Sequence, residues 1–313
     1  ILAEQILNKI FKTYSLNLNQ LKKIYSPNYL EILSNAIEDL KKNKIEHKHQ
    51  FTLKENSLAE ISSFEGVDML KYLIHRYRYE IFPQKKFIDN YPPLVQIEPS
   101  SVCNFRCVFC FETDKTFTNK KNGYMGTMKI DLFKKIIDQI EGNVEFVTLA
   151  SRGEPLVSKN LIEMLEYTTG KFLNLKINTN ASLLTEEKSH AILSSGVKTL
   201  VFSADAADEK LYSKLRVNGK LSQVLKNIKM FNQIKQKYYK NSKIITRVSG
   251  VKFNQDQKFD DMQNLWGELV DQVAFVNYNP WENNYDKKAN TITESCSDLW
   301  RRMFVWWDGK VNP

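Results

Sequence analysis

Cys103-Asn104-Phe105-Arg106-Cys107-Val108-Phe109-Cys110 is the stretch on which the reading of this chain turns. It holds three of the four cysteines, at spacing C-x3-C-x2-C. Three is an odd number for a disulfide framework and one short of a closed tetrahedral zinc site. Three thiolates on one short loop can instead hold three irons of a 4Fe-4S cube and leave the fourth iron open to a ligand that is not protein. Open coordination positions belong to reactive metal sites rather than structural ones. Taken alone, the triplet also admits a zinc knuckle or scattered buried thiols.

The flanking sequence supplies the fold. Just upstream, Leu94-Val95-Gln96-Ile97-Glu98 is a short run of β-formers ended by Pro99, and so reads as a strand leading into the cysteine loop. Downstream, strands and helices alternate. Helices are expected over 131–140, 160–167, 185–193, 221–239 and 260–270, and strands over 144–149, 172–177, 198–202, 244–248 and 273–276. Thr185 is a good N-cap, and Gly142-Asn143 and Gly196 are good stops. Six strands alternating with helices argue for an α/β chain with a parallel sheet and right-handed crossovers. Near-continuous apolar strands such as Val144-Glu145-Phe146-Val147 fit burial on both faces. Either a doubly wound sheet or an open barrel satisfies this pattern; strand order decides between them.

Upstream of Pro92 the chain reads as helical. Leu2, Ile6, Ile10 and Phe11 recur at helical spacing, Pro27-Asn28 opens a second helix, and Val67 to Phe82 carries Met69, Leu70, Leu73 and Ile74 on one side. The polar stretch from Lys42 to Asn56 reads as a loop or weak hairpin. His47, His49 and His75 have no second ligand at helical spacing, so a structural role is expected for each.

Composition narrows the class. The chain has 313 residues and 42% hydrophobic content, enough for a sizeable core without disulfides. No run of 18 apolar residues offers a membrane span, and no signal peptide is visible. Clustered cysteines point to a reducing compartment, so a cytoplasmic location is expected. Net charge is +9, but the lysines are dispersed along helices, which suits a solvated surface better than a nucleic-acid stripe. The first residue is Ile1 rather than Met, which leaves a fragment or a disordered start open.

With Phe109 just ahead of the third cysteine, the triplet resembles the radical S-adenosylmethionine (SAM) superfamily. That resemblance implies a partial (β/α)6 TIM-like barrel. It implies a 4Fe-4S cluster on Cys103, Cys107 and Cys110 whose open iron is chelated by SAM. It also implies a one-electron donor such as flavodoxin or ferredoxin, and a 5′-deoxyadenosyl radical that takes hydrogen from a substrate. Asn104 and Arg106 are candidates to donate to the cluster sulfides.

The barrel places reactive groups at the carboxyl ends of strands, and the resemblance picks out residues there. Ser151-Arg152-Gly153-Glu154-Pro155 is similar to the family's Gly-Gly-Glu-Pro, which implies that Gly153 and Glu154 meet the SAM amino group. Arg152 replaces the family's first glycine and adds a cation suited to a substrate carboxylate or phosphate, or else a turn residue in solvent. Asn178-Thr179-Asn180-Ala181 is close to Thr-Asn-Gly, with Asn178 and Thr179 as candidates for ribose or substrate. Ser203-Ala204-Asp205 and the later Arg216 resemble a Ser-x-Asp and Arg pair, with Ser203 and Arg216 on the SAM carboxylate. Phe109 and Asn279 would lie near adenine, with Val248-Ser249-Gly250 as a further adenine wall.

The tail resembles the opening of the SPASM/twitch extension. There Cys296 would ligate an auxiliary iron–sulfur cluster, and Asp308-Gly309 between apolar alternations signals a type I′ hairpin. The expected organisation is a helical N-terminal region (1–90), a radical SAM partial barrel (91–285) and the start of a SPASM/twitch extension (286–313), cut short. The expected activity is a radical SAM oxidoreductase or maturase acting on a small polar molecule such as a sugar, or on a peptide. A tRNA-modifying enzyme and a non-catalytic iron–sulfur or zinc module are the alternatives.

Overall fold

The computed structural model describes residues 2–42, 49–278 and 295–312. The chain opens with α1 (Leu2–Ile24), α2 (Pro27–Lys41), α3 (Glu55–Ile61) and α4 (Gly66–Lys85). Then come β1 (Leu94–Ile97), β2 (Arg106–Cys107), α5 (Lys115–Thr118), α6 (Ile130–Ile140), β3 (Phe146–Leu149), α7 (Leu161–Thr168), β4 (Asn174–Thr179) and α8 (Glu186–Ser194). The remainder is β5 (Thr199–Ser203), α9 (Glu209–Leu215), β6 (Arg216–Val217), α10 (Leu221–Tyr238), β7 (Ile245–Lys252), α11 (Phe259–Gly267), β8 (Gln272–Asn277), α12 (Asp298–Arg301), β9 (Arg302–Val305) and β10 (Val311–Asn312).

Strand order decides between the two candidate folds. The sheet runs β10-β9-β1-β3-β4-β5-β7-β8. From β1 to β8 the neighbours follow chain order and every pair is parallel. A doubly wound sheet would reverse at a switch point and carry helices on both faces. Here one face takes the helices: Val95, Val147, Leu175, Leu200 and Val248 share a core with Phe133 of α6, Leu165 of α7, Ile228 of α10 and Trp266 of α11. The period-2 alternation of a strand then turns Gln96, Lys176, Asn178, Ser203 and Arg247 to the inside. This is the α/β partial barrel.

The N-terminal helices bury their apolar faces in a separate cluster that includes Ile10, Leu33, Leu70 and Leu73. Pro27 stands at the start of α2, where its fixed φ and missing N–H do no harm. This region closes the amino end of the barrel, its floor. His75 of α4 stacks on Phe146 at the start of β3, with centroids 3.6 Å apart. Tyr25 donates to Glu145 at 3.3 Å, and Asn174 donates to Glu60 at 3.4 Å.

The structure corrects the expected turn in the tail and adds two strand pairings. β9 and β10 do pair antiparallel across Asp308-Gly309. Within that turn, however, only Gly309 has a positive φ, at 86°. A type I′ turn needs positive φ at both central residues. The Trp306 carbonyl accepts from Gly309 N, and Trp306 N donates to the Lys310 carbonyl. The loop is therefore a type I turn closed by a left-handed glycine. β9 also lies parallel to β1, so the tail extends the barrel sheet. A short ribbon of β2 with β6 sets Cys107 opposite Arg216. Among the described residues, no helix is long and apolar enough to cross a membrane.

Candidate active site

Above the carboxyl ends of the strands lies a cavity of about 400 Å3. Cys103, Cys107 and Cys110 line it together with Gly153, Glu154, Ser203 and Arg216. Phe109, Arg152, Asn178 and Thr179 line the same cavity. Thus one loop and the ends of β3, β4 and β5, with Arg216 from β6, bring most of the expected site residues to one place. Asn279 lies outside the described residues. Cys296 is exposed, just ahead of α12, and is not among the residues lining the cavity.

The cysteine loop is held by its own backbone and neighbours. Arg106 Nη1 donates to the carbonyls of Cys103 and Phe105 at 2.8 and 2.6 Å and pairs with Glu112 at 3.4 Å. Asn104 spans to the loop after β4, donating to Ser182 Oγ at 2.8 Å and accepting from Asn180 Nδ2 at 3.0 Å. Both side chains, candidates to donate to cluster sulfides, brace the loop that carries the thiols. Phe105 N points at Cys103 Sγ, 3.4 Å away.

Burial pushes the Cys103 thiol up to about 12 and the Cys110 thiol up to about 11. Burial raises Cys107 too, opposed by the Arg216 guanidinium, whose Nη1 is 3.8 Å from Cys107 Sγ. Such thiols give up their protons only to a positive partner such as a metal. Among the described residues, no three His, Cys, Asp or Glu groups gather round a single ion. A cluster makes a different demand, since each thiolate takes a different iron. The residues present fit that demand: three half-buried or buried thiols on one loop share one cavity with a guanidinium.

The polar wall is similarly built. Asp205, fully buried, accepts from Arg216 Nε at 2.5 Å and from Val251 N at 2.6 Å, so the guanidinium is fixed beside Cys107. The Glu154 carboxylate accepts from Thr179 Oγ1 at 2.6 Å, Asn180 N at 2.7 Å and Leu156 N at 3.0 Å. Burial raises its pKa and those three donors oppose the rise. Gly153 has a plain steric cause: a Cβ there would collide with the backbone of Ser100 to Val102, so only glycine lets the β3 loop touch the cysteine loop. The Asn178 Oδ1 is buried with no partner among the described residues, and Ser203 is half-buried on the interior face opposite Ser249.

Arg152 differs from its expectation. It lines the cavity, but its guanidinium forks onto Glu98, with Nε at 2.9 Å and Nη2 at 2.8 Å. It lies 4.0 Å from the Trp306 ring centroid and 5.2 Å from that of Phe117. Trp307 N also donates to Glu98 at 3.3 Å. The pair therefore ties the tail hairpin to the mouth and leaves little net charge for a substrate anion. Val248 also departs from expectation, since it is buried against the helices.

These features point one way. Residues 97–264 match the family described as the radical SAM superfamily. The chain belongs to the radical SAM superfamily. It is 28% identical over 129 residues to an AdoMet-dependent heme synthase of Methanosarcina barkeri, covering 41% of this chain and 36% of that one. It is 24% identical over 205 residues to a GTP 3',8-cyclase of Desulforamulus reducens, covering 62% and 60%. The chain thus spans 36% and 60% of the length of these two radical SAM relatives, less than two thirds of either. Its fold is similar to that of Streptococcus suis SuiB bound to S-adenosylmethionine, at TM-score 0.58 and 16% identity, covering 90% of this chain and 75% of SuiB. A coverage of 90% cannot be met by residues 91–313 alone, so part of the helical N-terminal region shares that fold as well. Radical SAM proteins use a 4Fe-4S cluster and SAM, and the cysteine triplet is the part of this chain suited to them.

Sequence reasoning missed Gln96, Phe105, Phe111 and Asn180, all of which line the cavity. Gln96 and Glu98 carried a signal: polar residues at alternate positions in an apolar strand. Phe253 carried none, yet it stands 5.5 Å from Phe109 and 5.1 Å from Tyr278, centroid to centroid.

Proposed function

We propose that this chain acts as a radical SAM oxidoreductase or maturase on a small polar molecule or a peptide, with Cys103, Cys107 and Cys110 holding the cluster. What supports this most is the convergence of the three cysteines, Glu154, Ser203 and Arg216 on one cavity at the carboxyl ends of the strands. When bound, the cluster and SAM supply a 5′-deoxyadenosyl radical that takes hydrogen from substrate, the electron coming from a donor such as flavodoxin or ferredoxin.

The chain's own residues bind, orient and shield. Asp205 holds Arg216 so that its charge favours the Cys107 thiolate and one edge remains for the SAM carboxylate, alongside the Ser203 hydroxyl. Glu154 fixes the Asn178–Asn180 turn and offers negative charge to the SAM amino group. Phe109, with Phe253 behind it, would border adenine, and the same role is proposed for Asn279. Asn178 presents an unused acceptor to ribose or substrate. In a longer protein Cys296 would ligate an auxiliary cluster of the SPASM/twitch type, with 1–90, 91–285 and 286–313 as the working divisions. A solved structure of SuiB holds its precursor peptide SuiA, which lends weight to the peptide arm; the polar barrel interior lends weight to the small-molecule arm.

Anaerobic reconstitution is the test. About four irons per chain and 5′-deoxyadenosine on reduction with SAM are expected, and Cys107→Ala should abolish both. Stoichiometric zinc without SAM cleavage would overturn the proposal in favour of a metal-binding module. Tracing deuterium from heavy water into candidate substrates would then separate the two substrate classes.

A further inference from the structure

The barrel interior beneath the cavity carries positive charge that the described residues do not answer. Register sets Gln96, Thr148 and Lys176 in one row across β1, β3 and β4. Asn178, two residues on, leads across Val201 to Arg247. Their strand neighbours Ile97, Ile177 and Val248 pack against the helices, so Gln96, Lys176, Asn178 and Arg247 share the inner face. Gln96 and Asn178 line the cavity, which puts Lys176 just below it.

The Lys176 ammonium has no hydrogen bond or ion pair among the described residues. Burial, then Arg247 and Arg302, hold its ammonium below the ordinary value, and Glu60 alone acts the other way. Glu60 is already used: it accepts from Tyr72 Oη at 2.8 Å and from Asn174 at 3.4 Å. Arg247 donates to the neutral Gln272 Oε1 at 3.0 Å, and among the described residues Arg302 reaches Tyr79 Oη at 3.3 Å, Asp298 at 4.0 Å and the Phe304 ring at 5.6 Å from its centroid. Holding further cations beside a desolvated ammonium costs stability unless an anion compensates them. At the mouth Arg152 has such an anion in Glu98; Lys176 and Arg247 have none among the described residues.

We propose that Lys176 and Arg247, with Asn178 beside them, form an anion subsite at the base of the substrate chamber, which takes a carboxylate or phosphate group of the substrate. This rests on the radical SAM reading of the cavity above and narrows its substrate to an anionic one. The lysine serves as a point charge and Arg247 as a fork for two oxygens.

The test uses the full chain, anaerobically reconstituted and with SAM present, titrated calorimetrically with inorganic phosphate and with succinate. At least one probe should bind saturably. Lys176→Met and Arg247→Gln should each weaken it by about tenfold or more, the loss of one charge-assisted contact, and Lys176→Arg should restore it. Stronger binding of phosphate would assign a phosphorylated substrate, stronger binding of succinate a carboxylate. Lys176→Met should also melt no lower than the wild type, since it removes an unpaired buried charge. Absence of saturable binding, variants that bind as tightly as the wild type, or a lowered melting temperature for Lys176→Met would overturn the subsite. Wild-type iron content and 5′-deoxyadenosine formation are read separately, so loss of those counts against the radical SAM reading instead.

Discussion

The two ends of the half-barrel are built to opposite rules. At the floor, α4 lays His75 and Tyr72 against Phe146, with the Tyr72 hydroxyl donating to Glu60 and His75 Nδ1 to the Pro93 carbonyl, while Arg76 Nε and Asn174 Oδ1 are buried without a hydrogen-bond partner among the described residues. At the mouth, backbone is pressed against backbone at Gly153, burial raises the cysteine thiols, and the Asn178 oxygen has no partner among the described residues. The floor spends its residues on packing. The mouth accepts unfavourable local terms, as sites that await a ligand do. Among the described residues each end also has an ion pair with both side chains buried, which makes a controlled contrast: Arg78 with Asp89 at 2.6 Å near the floor, Arg216 with Asp205 at 2.5 Å at the mouth.

The contrast breaks most visibly if those pairs are cut. Asp89→Ala and Asp205→Ala each strand a buried guanidinium, so each should cost about 3–5 kcal/mol of stability in urea unfolding. Only Asp205→Ala should also lower iron retained per folded chain, because Arg216 then loses its place beside Cys107. Equal iron in both variants would erase the distinction between the ends. A smaller effect is expected for Gly153→Ala, about 1–3 kcal/mol for the forced contact. That strain falls on Ser100 to Val102, so iron uptake should slow measurably even where the fold survives.

Legibility followed the same divide. The strands and helices were readable because period 2 and period 3.6 patterns report burial against one face, and β3, β4, β5 and β7 start within two residues of expectation. The site was readable where a residue type has few other uses: three cysteines, a glycine before Glu154, a serine at a strand end. What escaped was set by pairing across sequence distance. Nothing near Arg152 announces Glu98 as its partner, since fifty-odd residues intervene. The turn at Asp308-Gly309 was read from a dipeptide that suits two hairpin types, and only backbone angles separate them. Ala181 holds a left-handed φ of 60° where the resembling motif has glycine, a constraint no propensity scale reveals.

The gentlest probe of the floor is acid. His75 is 4% exposed, and its Nδ1 lies 3.1 Å from the Pro93 carbonyl, which can only accept, so that nitrogen carries the hydrogen. Burial, with Arg76 and Arg78 adding to it, holds the imidazole well below its ordinary value of 6.5. Below about pH 6.5 the unfolded chain therefore binds a proton that the folded chain refuses, and stability falls as pH falls, by up to about 1.4 kcal/mol per unit. Glu145, raised by burial at the same floor, acts in the opposite sense, so the comparison must be made within one pair of proteins. His75→Gln should start less stable, having lost its ring against Phe146, yet lose less with each step from pH 7 to 5.5 in urea titrations. Parallel pH profiles for the two proteins would mean that the ring takes up its proton as readily in the fold as in the unfolded chain. The floor would then carry an imidazolium between two arginines at mildly acid pH, and the contrast between an apolar, packed floor and a polar mouth would fail at the His75–Phe146 stack.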